Sequence, residues 1–161
     1  MSFLASLQAS AFSEWLSTSM LGFPTLIALH SVGMAVAVGL SLMISLRLNQ
    51  ILTGFKGEVI PRLLDIAALG FVLNLVTGLA LFITRGTEYV TSAIFLLKIL
   101  LVVVGVATMF WLRGRFKAGN LTTAALVADR AARRLSLVST ASWFGAVIAG
   151  RLIAYLSDIY R

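Results

Sequence analysis

Polar and apolar positions divide the chain into one short amphipathic segment and four long apolar runs. In "MSFLASLQASAFSEWLSTSM", Phe3, Leu4, Leu7, Ala11, Phe12, Trp15 and Leu16 recur at helical spacing, while Ser6, Ser10, Ser13, Glu14 and Ser17 take the opposite face. That pattern predicts an interfacial amphipathic helix over 1–21, with Trp15 at headgroup level; a strap packed against a partner protein is the alternative. No basic segment precedes the apolar residues, so no cleavable signal peptide is expected. The apolar runs cover Phe23–Leu46, Leu63–Ile83, Ala93–Leu112 and Leu135–Leu156. Each is close to the roughly 20 residues a helix needs to cross a bilayer. Gly22 and Pro24 separate the amphipathic segment from the first run, and Pro61 stands where a first-turn proline is tolerated. "NLTTAALVADRAARR" predicts a helical extension of the fourth run, with Asn120 as its N-cap.

Composition fits a lipid solvent. The chain has 161 residues, of which 60% are hydrophobic and 12% charged. Its mean hydropathy is +1.00. Soluble domains carry about twice that share of charge, roughly 25%. With no internal repeat and no linker, these features predict an all-α fold: a single transmembrane domain over 1–161, built as a four-helix bundle with an extra surface helix.

Charge sets the direction. The net charge is +7. The connection after the first run holds Arg47, Lys56 and Arg62; the one after the third holds Arg113, Arg115, Lys117, Arg130, Arg133 and Arg134. The opposite side holds only Arg85 and Arg161. The positive-inside rule then predicts a bacterial inner-membrane protein with both termini periplasmic and both basic loops cytoplasmic. Basic residues beside apolar spans are explained by topology and anionic lipid, so no nucleic-acid partner is expected. The chain has no cysteine and one histidine. Disulfides, iron–sulfur clusters, covalent haem and a zinc site of histidines are thereby excluded within one chain.

Several polar residues share one depth. His30 lies seven residues inside the outer end of the first run, roughly 10 Å deep at the helical rise. Thr77, Lys98 and Arg151 fall in the same outer layer. Side chains lean toward a helix's N-terminus, so Lys98 is expected to snorkel outward and Arg151 to lean toward the membrane centre. His30, Gly33, Ala37 and Ser41 form one small-residue stripe; Ala67, Gly70, Asn74 and Thr77 form another. No acid lies deep in a span. Asp65 is near Arg47 and Arg62 at the cytoplasmic end, and Glu88 and Asp158 are near the outer surface. Cations without a buried carboxylate are costly at this depth, and an anionic ligand would offset that cost. The missing mid-membrane acid also argues against a proton relay.

These residues predict a non-covalent haem b site. His30 would be the metal ligand, Lys98 and Arg151 would hold the propionates, Gly33 and Ala37 would make room for the macrocycle, and Asn74 and Thr77 would border it. Met34 shares a helix face with His30 and cannot reach the opposite haem face, while Met43 and Met109 lie deeper. The site would then be five-coordinate, or Lys98 or a partner chain would supply a sixth ligand. The plainer reading has His30 hydrogen-bonded to Thr77 or Asn74 across a helix pair, Lys98 snorkelling, and Arg151 paired with Glu88, Asp158 or a lipid phosphate. A quinone or another anionic amphiphile fits the same layer. Hydrolysis is poorly supported, since no carboxylate can orient His30. Trp111 and Tyr155 read as interface anchors and Trp143 as a packing residue.

Five motifs carry a resemblance: "LIALHSVGMAVAVG" with His30, "SLRLN" with Arg47, "TGLALF" with Thr77 and Gly78, "FLLK" with Phe95 and Lys98, and "WFGAVIAGRLIAY" with Trp143, Gly150, Arg151 and Tyr155. On them, the chain resembles a family of bacterial four-span inner-membrane proteins of unassigned function. Relatives carry an acid before the leucine of the "LRL" element; Ser45 stands there here, so an acid–arginine pair is missing. The layout is also similar to CopD-like membrane domains and to the four-helix haem-binding protoporphyrinogen oxidase, which has a first-span histidine and a third-span lysine. That similarity implies haem at His30 with Lys98 nearby. Copper transport fits poorly, because one histidine and scattered methionines make a weak copper site. The expected function is electron transfer or an oxidoreductase, as a homo-oligomer or a subunit of a larger membrane complex. The alternative is a non-redox accessory subunit without cofactor.

Overall fold

The computed structural model describes residues 2–54, 56–117 and 123–159. Two short helices, α1 (Ser2–Gln8) and α2 (Ala11–Thr18), precede four long ones: α3 (Gly22–Leu48), α4 (Ile60–Tyr89), α5 (Ala93–Lys117) and α7 (Arg130–Ile159). A short α6 (Thr123–Ala128) lies between α5 and α7, and a single 3₁₀ turn (Gly57–Val59) leads into α4. The four long helices are each long and apolar enough to span a membrane. The protein is an all-α, membrane-type four-helix bundle.

The long helices run past the apolar stretches that announce them. α4 starts at Ile60, three residues early, with Pro61 in its first turn, where a missing N–H costs nothing. It continues to Tyr89, with a kink at Arg85 inside its final polar stretch. α3 ends in a Schellman turn. Gln50 adopts φ 62°, its N–H bonds the Arg47 carbonyl at 3.1 Å, and the Ile51 N–H bonds the Leu46 carbonyl at 2.9 Å. Asn49 Nδ2 then donates to Ser136 Oγ at 3.0 Å, tying the end of α3 to α7. The expected cap Asn120, the Asp158 side chain and Arg161 lie outside the described residues.

The bundle is tightest at the end bearing the basic loops. Ile44, Leu48, Ile60, Leu64, Ala67, Met109, Leu112 and Ala132 are buried together there. Lipid is as apolar as leucine, so close packing rather than water exclusion holds such helices together. The α3–α4 pair makes this explicit. A Cβ on Gly33 would lie 2.7 Å from the Asn74 backbone nitrogen and 2.8 Å from the Gly70 carbonyl oxygen. Only glycine permits that approach. Asp65, expected beside Arg47 and Arg62, is also held by Arg113 of α5, at 2.6 Å.

The amphipathic segment differs from expectation in two ways. It is two helices, broken at Ala9 and Ser10, with Ser10 capping α2 by accepting from the Ser13 N–H at 3.3 Å. Its buried side is also mixed rather than purely apolar: Ser13 of the serine face and Leu16 of the apolar face are buried, while Ser6, Glu14 and Ser17 are exposed along with Phe3, Phe12 and Trp15. The segment packs on the ends of α3 and α4, and Thr87 Oγ1 donates to Gln8 Oε1 at 2.7 Å. There α4 is kinked, with non-helical angles at Arg85 (φ −144°, ψ 30°).

Candidate functional site

At the end of the bundle away from the tight core, α3, α4, α5 and α7 line a half-open cavity of about 520 Å³. His30 and Met34 enter it from α3, Gly78, Phe82 and Tyr89 from α4, Phe95 and Lys98 from α5, and Gly150 and Arg151 from α7. Three of the expected site residues, His30, Lys98 and Arg151, therefore meet in one cavity, although they come from three helices.

The imidazole is fixed by α4. Its Nδ1 lies 3.0 Å from the Asn74 carbonyl oxygen and 3.1 Å from Thr77 Oγ1. The Thr77 hydroxyl has one hydrogen and donates it to the Leu73 carbonyl at 2.7 Å, so toward His30 it can only accept. Both neighbours of Nδ1 are thus acceptors. In the neutral ring the proton is assigned to Nδ1, and Nε2 keeps its in-plane lone pair. Asn74 Nδ2 does not cover that lone pair. It stands 3.3 Å from each ring nitrogen. An atom in the ring plane at equal distance from both would overlap a ring carbon, so the amide lies over the ring face. It is held there by a 2.9 Å bond to the His30 carbonyl. The small residue at the Cε1 edge of the ring is Gly78, whose added Cβ would stand 3.0 Å from His30 Cε1.

The cations are placed differently from each other. Lys98 is half-buried, with Nζ over Gly150 at 3.6 Å from where a Cβ would be. Arg151 was expected to lean toward the membrane centre. It is exposed, and its guanidinium carbon sits 6.0 Å from the Tyr155 ring centroid, one turn nearer the C-terminus. The long side chain can bend outward against the helical lean, and the ring face supports it. Among the described residues, neither cation is paired with a carboxylate. Phe82, Tyr89 and Phe95 wall the cavity as near-parallel rings with centroids 5.4–6.3 Å apart.

Other expected site residues stand outside the cavity lining. Gly33 and Ala37 are buried, and Gly33 faces the α4 backbone, so the small-residue stripe brings two helices together instead of making room for a ligand. Asn74 and Thr77 act on the cavity through His30. Gly78, Gly150 and the aromatic wall were not identified as site residues from sequence. Gly78 adjoins Thr77 and Gly150 adjoins Arg151, so adjacency was the available signal, but which helices face each other was not readable.

No protein-family model, curated protein or solved structure matches the chain.

Proposed function

We propose that this protein binds haem b non-covalently in the outer cavity and serves electron transfer or an oxidoreductase in the bacterial inner membrane. The observation that carries the proposal is His30: Nδ1–H is held by Asn74 and Thr77 while Nε2 keeps a free lone pair. Metal-ligating histidines have this arrangement, with the second nitrogen bound to a carbonyl or a similar acceptor. The residues also fit the group. About 520 Å³ lies within the roughly 300–1,000 Å³ of cofactor sites. Among the described residues, Lys98 and Arg151 have no carboxylate partner, and they suit propionates. The aromatic wall suits a flat ring system. When bound, the haem would supply one-electron chemistry; His30 Nε2 would hold the iron, Lys98 and Arg151 would neutralise the propionates, and the largely apolar lining would surround the ring.

The basic loops support a cytoplasmic position for the tight end of the bundle, which puts the cavity and both termini on the periplasmic side. A redox partner or sister subunit would then meet the haem from that side. The resemblance to the four-helix protoporphyrinogen oxidase agrees with haem at His30 without fixing a reaction. A second reading has one specific support: Arg151 is exposed beside Tyr155, as a residue holding a quinone or lipid headgroup would be. Purification of the intact protein in detergent separates the two. The haem reading predicts a red sample with a Soret band and one haem per chain. A colourless sample that cannot be loaded with haem would leave the amphiphile reading.

A further inference from the structure

A second, much smaller cavity lies deeper in the bundle and has no part in the haem proposal. Ser41 is eleven residues beyond His30 on α3, about 16 Å further toward the basic loops at the helical rise. Its side chain is more than nine-tenths buried, and among the described residues its Oγ has no hydrogen-bond partner. The cavity it lines measures about 10 Å³ and is also bordered by Ser136 and Ser139 of α7, with Met109 and Leu64 closing it. We propose that this cavity binds one water molecule, which joins α3 to α7 inside the apolar core.

Size and chemistry both lead there. A volume of about 10 Å³ is close to the minimum that admits a single water and is too small for any larger ligand. A buried hydroxyl without a partner is unfavourable anywhere, and more so where no bulk water is near. Ser136 Oγ has capacity for one more bond. It accepts from Asn49 Nδ2 at 3.0 Å and donates to the Arg133 carbonyl at 2.7 Å, which leaves one acceptor site. The water donates to that site and accepts from the Ser41 hydroxyl, and Ser139 offers a third contact. The bond from Asn49 thus becomes the first link of a short polar chain from the basic-loop end of α3, through Ser136 and the water, to Ser41 two turns further into the span. The competing outcome is an ordinary back-bond, in which the Ser41 hydroxyl turns to the Ala37 carbonyl one turn earlier and the cavity stays dry.

The test is a crystal structure of the full chain grown in lipid, at a resolution that shows ordered water, with and without xenon pressure. The proposal predicts one water peak within about 3 Å of both Ser41 Oγ and Ser136 Oγ, and no xenon. It also predicts loss of that peak in Ser41→Ala. Xenon in the cavity, an empty cavity with Ser41 bonded to Ala37, or the same water retained in Ser41→Ala would each overturn it. If the variant does not fold, the wild-type crystal alone decides.

Discussion

The Asn74 carbonyl oxygen lies 3.0 Å from His30 Nδ1, and one turn on, the buried Thr77 hydroxyl supports the same nitrogen at 3.1 Å. Two acceptors on one helix fix the ring and decide which of its nitrogens faces outward. If His30 ligates iron, Thr77 is a positioning residue, and Thr77→Val removes one of its two supports. Haem binding should weaken by about tenfold, the low end of the range for such outer contacts, because the carbonyl remains. The midpoint potential should rise as the imidazole becomes a weaker donor. A haem titration and a redox titration measure both. Unchanged affinity together with an unchanged potential would remove Thr77 from the site.

Lys98 and Arg151 are expected to act as separate charges on one ligand. Hydrogen bonds to charged groups contribute about 1.5–3 kcal/mol. Lys98→Met should therefore weaken haem retention by roughly tenfold or more, and Arg151→Leu by less, since Arg151 is exposed. Haem loss to an excess of a haem-scavenging globin gives the comparison. Equal retention in wild type and both variants would mean that neither cation holds a propionate.

Gly33 carries the α3–α4 contact, so its replacement should be costly where that of a glycine in open space is not. Gly33→Leu forces a side chain against the Asn74 and Gly70 backbones and should destabilise the bundle by about 1–3 kcal/mol. Gly39 has nothing within 4 Å of an added Cβ, so Gly39→Ala should leave stability unchanged or slightly raised. Denaturation in mixed micelles ranks them. Equal stability of the two variants would contradict the packing described here.

The Asp65–Arg113 pair is short at 2.6 Å, yet its side chains are 46% and 30% exposed. Exposed pairs contribute little, so Asp65→Asn should cost at most about 1 kcal/mol. A loss several times larger in the same unfolding assay would contradict the small contribution expected of an exposed pair.

How far the sequence could be read follows from which forces are local. The four spans were legible because each apolar run reaches membrane length on its own. Their ends were not, because polar residues such as those of "TRGTEY" continue a helix as readily as they stop it. The break at Ser10 was missed because a serine on a polar face and a serine at an N-cap look alike until the turn is seen. In the site, depth along each helix placed His30, Thr77, Lys98 and Arg151 in one layer without any contact information. Rotation about the helix axes was the missing quantity. It turned Gly33 and Ala37 to α4, brought Gly78 to the Cε1 edge of the imidazole, and set Phe82, Tyr89 and Phe95 around the cavity. The spacing of Ser136, Ser139 and Ser142 in α7 was a readable polar stripe, and its partner Ser41 was already on the His30 face.

The most direct measurement is an optical titration of the purified protein with haem, run in parallel on wild type and His30→Ala. A bound haem with His30 as its axial ligand predicts a Soret shift in the wild type that saturates at one haem per chain. It predicts no saturable shift in the variant, although the variant stays folded by circular dichroism. The same saturating Soret shift in both proteins would contradict His30 as the ligand, and no shift in either would contradict the haem site itself.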